Sequence, residues 1–234
     1  MSSKCPKAPI ECSALSLHVS TVPVATRLYR FHGRSTTAGA TVYPPNSFNP
    51  NTGKDWTIPE DGARFNPFPN AAGVNVGSLY AASSLAAAAL ESVFHAVPHV
   101  PNSTYDGTLL QTWQYSELLT TRDIFYVMLT NPQLHQLKVR SRATGLLESE
   151  LIHSQGDQYP RARTWAKYLH DCVPTLNALG WRPRLGGQDE AYMLFGDRCS
   201  SSDLSVAFGP TPIDGGFGHS AICKIAEDAN ITII

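Results

Sequence analysis

Apolar residues fall in short runs, separated by long stretches rich in Pro, Gly, Asn and Ser. Arg27-Leu28-Tyr29-Arg30-Phe31 alternates, which predicts a strand with Arg30 on the face of Leu28 and opposite Tyr29. From about Gly33 to Gly62 the chain carries Pro44-Pro45 and Asn51-Thr52-Gly53 and reads as a long loop of the kind that is often functional or lid-like. Ala63-Arg64-Phe65-Asn66-Pro67 and a further loop through Asn75 lead to the apolar strand around Ser78-Leu79-Tyr80-Ala81-Ala82. An alanine-rich helix follows, with Ser83 or Ser84 as its N-cap and His95 near its end, because Pro98 forbids continuation. Segments 108–115 and 124–129 read as strands, and 132–151 as partly helical. Tyr159 to Cys172 predicts a helix with Pro160 in its first turn and Trp165, Tyr168, Leu169 and Cys172 along one face. Segments 191–195 and 204–208 close the pattern as strands.

Strands and helices mix without a regular βαβ rhythm. The expectation is an α+β fold with small mixed or antiparallel sheets and flanking helices. Residues 1–24 read as a weakly ordered lead-in and 25–234 as one domain, with no internal repeat or linker.

The alanine-rich helix frames one acidic side chain. Leu90, Val93, Phe94 and Val97 share a face, and most of the remaining positions are alanine. Glu91 is the only carboxylate there. Either it faces solvent, or it is buried, and a buried charge without a partner is costly.

Composition narrows the function classes. The 234 residues are 42% hydrophobic and 16% charged with a formal net charge of −1, which fits a folded domain and offers no basic surface for nucleic acid or anionic membrane. There is no secretory h-region and no run near 20 apolar residues. Five cysteines at wide spacings, without a CxxC, predict reduced thiols in a cytosolic protein rather than a zinc knuckle or disulfide framework. The bulk properties leave open delivery into another cell by a secretion machine.

Common catalytic signatures are absent. No GxGxxG follows a strand, and neither GxxxxGK[ST] nor GxSxG occurs. His95 and His99 are separated by Pro98 and make a poor helical metal face, so no metal is expected. His170 beside Cys172 is weak as a catalytic pair, and Ser200-Ser201-Ser202-Asp203 reads as a cap. What remains are arginines beside apolar elements, Arg27, Arg30 and Arg64, whose planar charged fork suits phosphate. Arg27 reads as a surface residue, whereas Arg30 and Arg64 admit either a surface or a site role.

The order of these pieces resembles the RES domain family. Leu28-Tyr29-Arg30, Arg64-Phe65-Asn66-Pro67, Leu79-Tyr80-Ala81-Ala82-Ser83 and Ala89-Leu90-Glu91-Ser92-Val93-Phe94-His95 carry the first half of the resemblance. Tyr159-Pro160, Trp165-Ala166, Leu169-His170, Trp181 and Leu194-Phe195-Gly196-Asp197-Arg198 carry the second, so that it spans about residues 24–210. The resemblance implies a toxin paired with an antitoxin, degradation of NAD+ by hydrolysis or phosphorolysis of its nicotinamide–ribose bond, and a fold similar to ADP-ribosyltransferase toxins. It implies Glu91, Arg64 and Tyr80 as catalytic residues, and Arg30, Arg64 and Tyr80 as substrate-binding residues; Ser84, seven residues before Glu91 and so on the same helix face, is a further substrate-binding candidate that reads more simply as the helix cap. NAD+ would be substrate, with no further cofactor.

The family's serine precedes an arginine shortly after a tryptophan. Here Trp181-Arg182-Pro183-Arg184 puts Pro183 in that place, without a hydroxyl or N–H. Three functions follow: an NAD+ glycohydrolase or phosphorylase, an ADP-ribosyltransferase acting on a macromolecule, or a module that binds NAD+ or a partner without turnover. The resemblance further implies an antitoxin or immunity protein as partner, a cytoplasmic site of action and a possible homo-oligomer.

Overall fold

The computed structural model describes residues 8, 12, 17–34, 43–98, 100, 102–130, 133–134, 151–152, 154, 156–183 and 187–234. The expected helical stretch at 132–151 lies almost wholly outside them. Ten strands are described: β1 Val19–Val22, β2 Arg27–Gly33, β3 Ser78–Ala82, β4 Ser103–Tyr105, β5 Trp113–Thr120, β6 Ile124–Met128, β7 Ala178–Trp181, β8 Ala191–Phe195, β9 Leu204–Pro212 and β10 Ile231–Ile233. The described helices are α1 Leu85–Leu90, α2 Tyr159–Cys172 and α3 Gly216–Asp228.

The α+β class holds, but the small sheets do not. Eight strands join one sheet in the order β1-β6-β7-β8-β3-β2-β5-β9, and only β4 and β10 stand apart as a parallel pair. Within the large sheet β6 and β7 run parallel and the other neighbours antiparallel. The strands merge because pairing satisfies backbone groups that single short strands would leave open. Val19–Val22, in the segment read as lead-in, is one of these strands and pairs with β6.

Alternation along the strands feeds two apolar clusters. Leu28, Leu79, Ala81, Leu118 and Leu194 face one; Phe31, Ala82, Tyr115, Met193 and Phe195 face the other, together with α1 and α2. Trp165 on α2 and Trp181 on β7 are each 1% exposed and anchor this larger core, each contributing on the order of 3 kcal/mol by burial.

Three elements differ from expectation for local reasons. Residues 107–112 form a 3-10 helix, not a strand, because the Asp106 carboxylate accepts hydrogen bonds from Thr108 N at 2.9 Å and Thr108 Oγ1 at 2.7 Å and starts a turn. The α1 helix ends at Leu90 rather than His95. There the Ser92 hydroxyl donates to Ala88 O at 2.5 Å, and Ser92 N drops back to Ala89 O, which tightens and stops the helix. A disulfide joins Cys12 to Cys172 at the end of α2, with Cα atoms 5.3 Å apart, against the expectation of reduced thiols. The two residues are 160 apart in sequence, so only the folded chain reveals the pairing. Cys199 and Cys223 are free, and Cys5 lies outside the described residues.

The feature that makes room for a site is a parting of β2 from β3. Only Tyr29 and Ala82 pair between them, whereas β2 pairs with β5 at seven positions and β3 with β8 at five. Beyond that pair the long loop takes β2's place. Asn49 bridges Ser78 by two 2.9 Å backbone hydrogen bonds.

Candidate functional site

A cleft of about 380 Å³ opens at this parting, within the ~300–1,000 Å³ usual for small-molecule sites. Its walls come from β2, the 49–66 loops, Ser78 and Tyr80 of β3, the residues just after α1, and Trp113 and Trp181.

Glu91 is not solvent-facing. It is the C-cap of α1, with its side chain 12% exposed, and its carboxylate lies 3.4 Å from Arg64 Nη1, itself on a 9% exposed side chain. A carboxylate at a helix C-terminus opposes the local dipole, so its position is set by the tertiary partner and not by the helix. His95 Nδ1 stands 4.0 Å from the same carboxylate, and His95 Nε2 lies 2.8 Å from the Tyr159 hydroxyl. Burial raises the Tyr159 phenol pKa, and the nearby Arg64 works against that shift.

Arg64 is held by its neighbours in sequence. Phe65 is fully buried against Trp181, with ring centroids 5.1 Å apart. Asn66 is buried in a chain of amides: the Tyr80 hydroxyl donates to Asn66 Oδ1 at 2.5 Å, Asn66 Nδ2 to Asn51 Oδ1 at 3.0 Å, and Asn51 Nδ2 to Val76 O at 2.7 Å. Gly62 approaches this turn so closely that a Cβ would stand 2.3 Å from Pro67 Cδ and 2.4 Å from Asn66 O. Two buried donors, Arg64 Nε and Trp181 Nε1, have no hydrogen-bond partner among the described residues. Unmet donors beside a loosely spaced ion pair are what a binding site, more than a structural one, tolerates.

Tyr80 lines the cleft with its ring edge-on to Trp181 at 6.0 Å. Burial pushes its phenol well above the ordinary value, so it stays protonated and donates to Asn66. Arg30 also lines the cleft, but its Nη1 donates to Pro45 O and Ser47 O, both at 2.8 Å, so it holds the loop as well. Burial lowers its pKa to about 10. Ser84 is the N-cap of α1: its hydroxyl accepts from Ala87 N at 3.1 Å and donates to Asp189 Oδ2 at 2.6 Å, and it does not line the cleft. Pro183 is buried just after β7, while Arg184 lies outside the described residues. Glu91, Arg64, Tyr80 and Arg30 are thus brought together, and Ser84 is not.

Asn51, Asn66, Ser92, His95, Trp181 and Tyr159 were not singled out from the sequence as site residues. His95 offered a signal, four residues after Glu91, and Asn66 and Trp181 stood inside quoted motifs. Asn51 offered none, because its contact with Asn66 is made by the fold.

The chemistry available is a carboxylate, a guanidinium and an imidazole around one aromatic-walled cleft. No curated protein matches the chain. The RES domain profile matches residues 27–211, as the motif order indicated, and the protein belongs to the RES domain family.

Proposed function

We propose that this protein is a toxin-like enzyme that consumes NAD+ by cleaving its nicotinamide–ribose bond. The observation that carries the reading is the Arg64–Glu91 pair, a guanidinium and a carboxylate 3.4 Å apart in the wall of the cleft between β2 and β3. Family membership supports the link to NAD+ and to toxin function.

In NAD+ the leaving group is a cationic pyridinium, which departs as neutral nicotinamide without needing a proton. One carboxylate therefore suffices, unlike the acid and base pair of ordinary glycosidases. Glu91 stabilises the positive charge that develops on the ribose, and it does so strongly because its surroundings exclude water. Arg64 takes the diphosphate by charge-assisted hydrogen bonds, with Arg30 fixing the loop beside it. Tyr80, protonated and held by Asn66, borders the ribose with an apolar ring and a fixed hydroxyl. His95, between Glu91 and Tyr159, orients the polar wall of the cleft beside the carboxylate.

With this reading come the likeness to ADP-ribosyltransferase toxins, and a protein antitoxin or immunity partner that covers the cleft. No helix among the described residues is long and apolar enough to cross a membrane. The Cys12–Cys172 disulfide favours passage through an oxidising compartment before action in a cytoplasm.

Purified protein incubated with NAD+, with and without phosphate, tests the reading. Release of nicotinamide with free ADP-ribose supports hydrolysis, and a phosphorylated ADP-ribose supports phosphorolysis. Label retained on a macromolecule moves the assignment to transfer, and no nicotinamide in any arm sinks it.

A further inference from the structure

Arg163 lies in the first half of α2 and has no exposed surface. Among the described residues its guanidinium makes four hydrogen bonds, all to main-chain carbonyls of the segment leading to Arg64. Nε donates to Ala63 O at 3.0 Å, Nη1 to Trp56 O at 3.1 Å and Ile58 O at 2.7 Å, and Nη2 to Pro59 O at 2.9 Å. None of these acceptors is charged. A cation buried with neutral hydrogen-bond acceptors is costly, because those bonds restore only part of the solvation it loses. Burial accordingly lowers its pKa, against weaker opposing influences that include Tyr80 and Asp61.

The arrangement has a geometric purpose. Arginine alone offers a rigid planar fork of five donors, which can gather four carbonyls from one irregular loop. The last of those carbonyls belongs to Ala63, the residue before Arg64. On the same helix, four residues earlier and so on the same face, Tyr159 meets His95 beside Glu91. One face of α2 therefore contacts a neighbour of each member of the Arg64–Glu91 pair, Ala63 beside Arg64 and His95 beside Glu91.

We propose that Arg163 is the positioning residue for Arg64: it fixes the 56–63 loop so that the Arg64 guanidinium stands against Glu91. This rests on the reading of the cleft as an NAD+ site. Arg163 touches no substrate in this account. Lysine in its place keeps the charge but can gather fewer carbonyls, so fork and charge are separable.

The test is a double-mutant cycle in the affinity for ADP-ribose, measured by calorimetry on wild type, Arg163→Lys, Arg64→Gln and the double variant. Arg163→Lys is expected to weaken binding about tenfold, and to add nothing once Arg64 is gone, because it acts through Arg64. Unchanged affinity in Arg163→Lys, or losses that simply multiply, overturn the proposal. Pro59→Gly loosens the same loop through its own backbone and is expected to weaken binding likewise, which keeps the test available should Arg163 variants fold poorly. Hydrogen exchange gives a readout independent of NAD+ chemistry: Arg163→Lys should lose protection at amides of residues 56–64 and keep it elsewhere in the sheet. Full protection there overturns the proposal. Wild type that neither binds ADP-ribose nor releases nicotinamide sinks the reading of the cleft instead, whatever the exchange shows.

Discussion

Glu91 and Arg64 are each expensive to bury and are buried together, at a distance longer than a good charge-assisted hydrogen bond. Such a pair adds little net stability, and Arg64 Nε beside it, without a partner among the described residues, is a further cost. The arrangement makes sense if the pair loosens to admit a charged ligand. Glu91→Gln preserves shape and an acceptor for Arg64 but removes the charge. Nicotinamide release is expected to fall by at least about a hundredfold, the scale of losing one electrostatic stabiliser. Thermal unfolding should shift by only a few degrees. Near-wild-type turnover in that variant would remove Glu91 from the mechanism. Glu91 stood out in the sequence because it was the lone acid on an alanine-rich helix. Arg64 stood there only as one of several arginines suited to phosphate, since nothing in linear order says which guanidinium reaches Glu91.

At the level of elements, α2 was the most legible. Its apolar spacing and Pro160 gave both its type and its bounds, because a long amphipathic period is encoded locally. The end of α1 was not legible, since it depends on one hydroxyl, that of Ser92, choosing a backbone carbonyl. The disulfide at the end of α2 was misread for the same kind of reason: wide spacing gives no hint of contact. Because Cys12 and Cys172 close a loop of 160 residues, chain-entropy arguments assign the bridge on the order of 5 kcal/mol. Dithiothreitol should therefore lower the unfolding midpoint of the wild type. Cys12→Ser should show the lowered midpoint from the start and no response to reductant. A wild-type midpoint indifferent to reductant would mean that the bridge carries no stability.

Across the whole molecule, the sheet brings His32 of β2 against Ser116 and Gln114 of β5, with ring nitrogens 3.0 Å from Ser116 Oγ and 3.3 Å from Gln114 Nε2. Burial first, and the charge of Arg30 second, lower its pKa to about 4. The folded state thus keeps His32 neutral where the unfolded chain, with a pKa near 6.5, binds a proton. Stability is fully present above about pH 6.5, declines as pH falls, and levels off below about pH 4 for this group. Urea midpoints measured across that window should fall less steeply in His32→Gln than in wild type. Parallel curves would show that His32 does not resist protonation in the fold.

Local pattern alone determined the strands β2, β3 and β8, the helix α2, the α+β class and the family, through Arg30, Arg64, Tyr80, Glu91 and the order in which they occur. These features depend on neighbours within one turn or one strand, or on motif order, so linear text carries them. Only the tertiary structure decided that β2 leaves β3 after a single pair, that Asn49 fills the vacated edge, and that Arg64 is the guanidinium meeting Glu91. It also decided that Ser84, already readable as a cap, stands outside the cleft, and that Arg163 on a distant helix holds the Arg64 loop. Those outcomes depend on which backbone groups and charges remain unsatisfied once every element is packed, and that balance exists only in the folded chain.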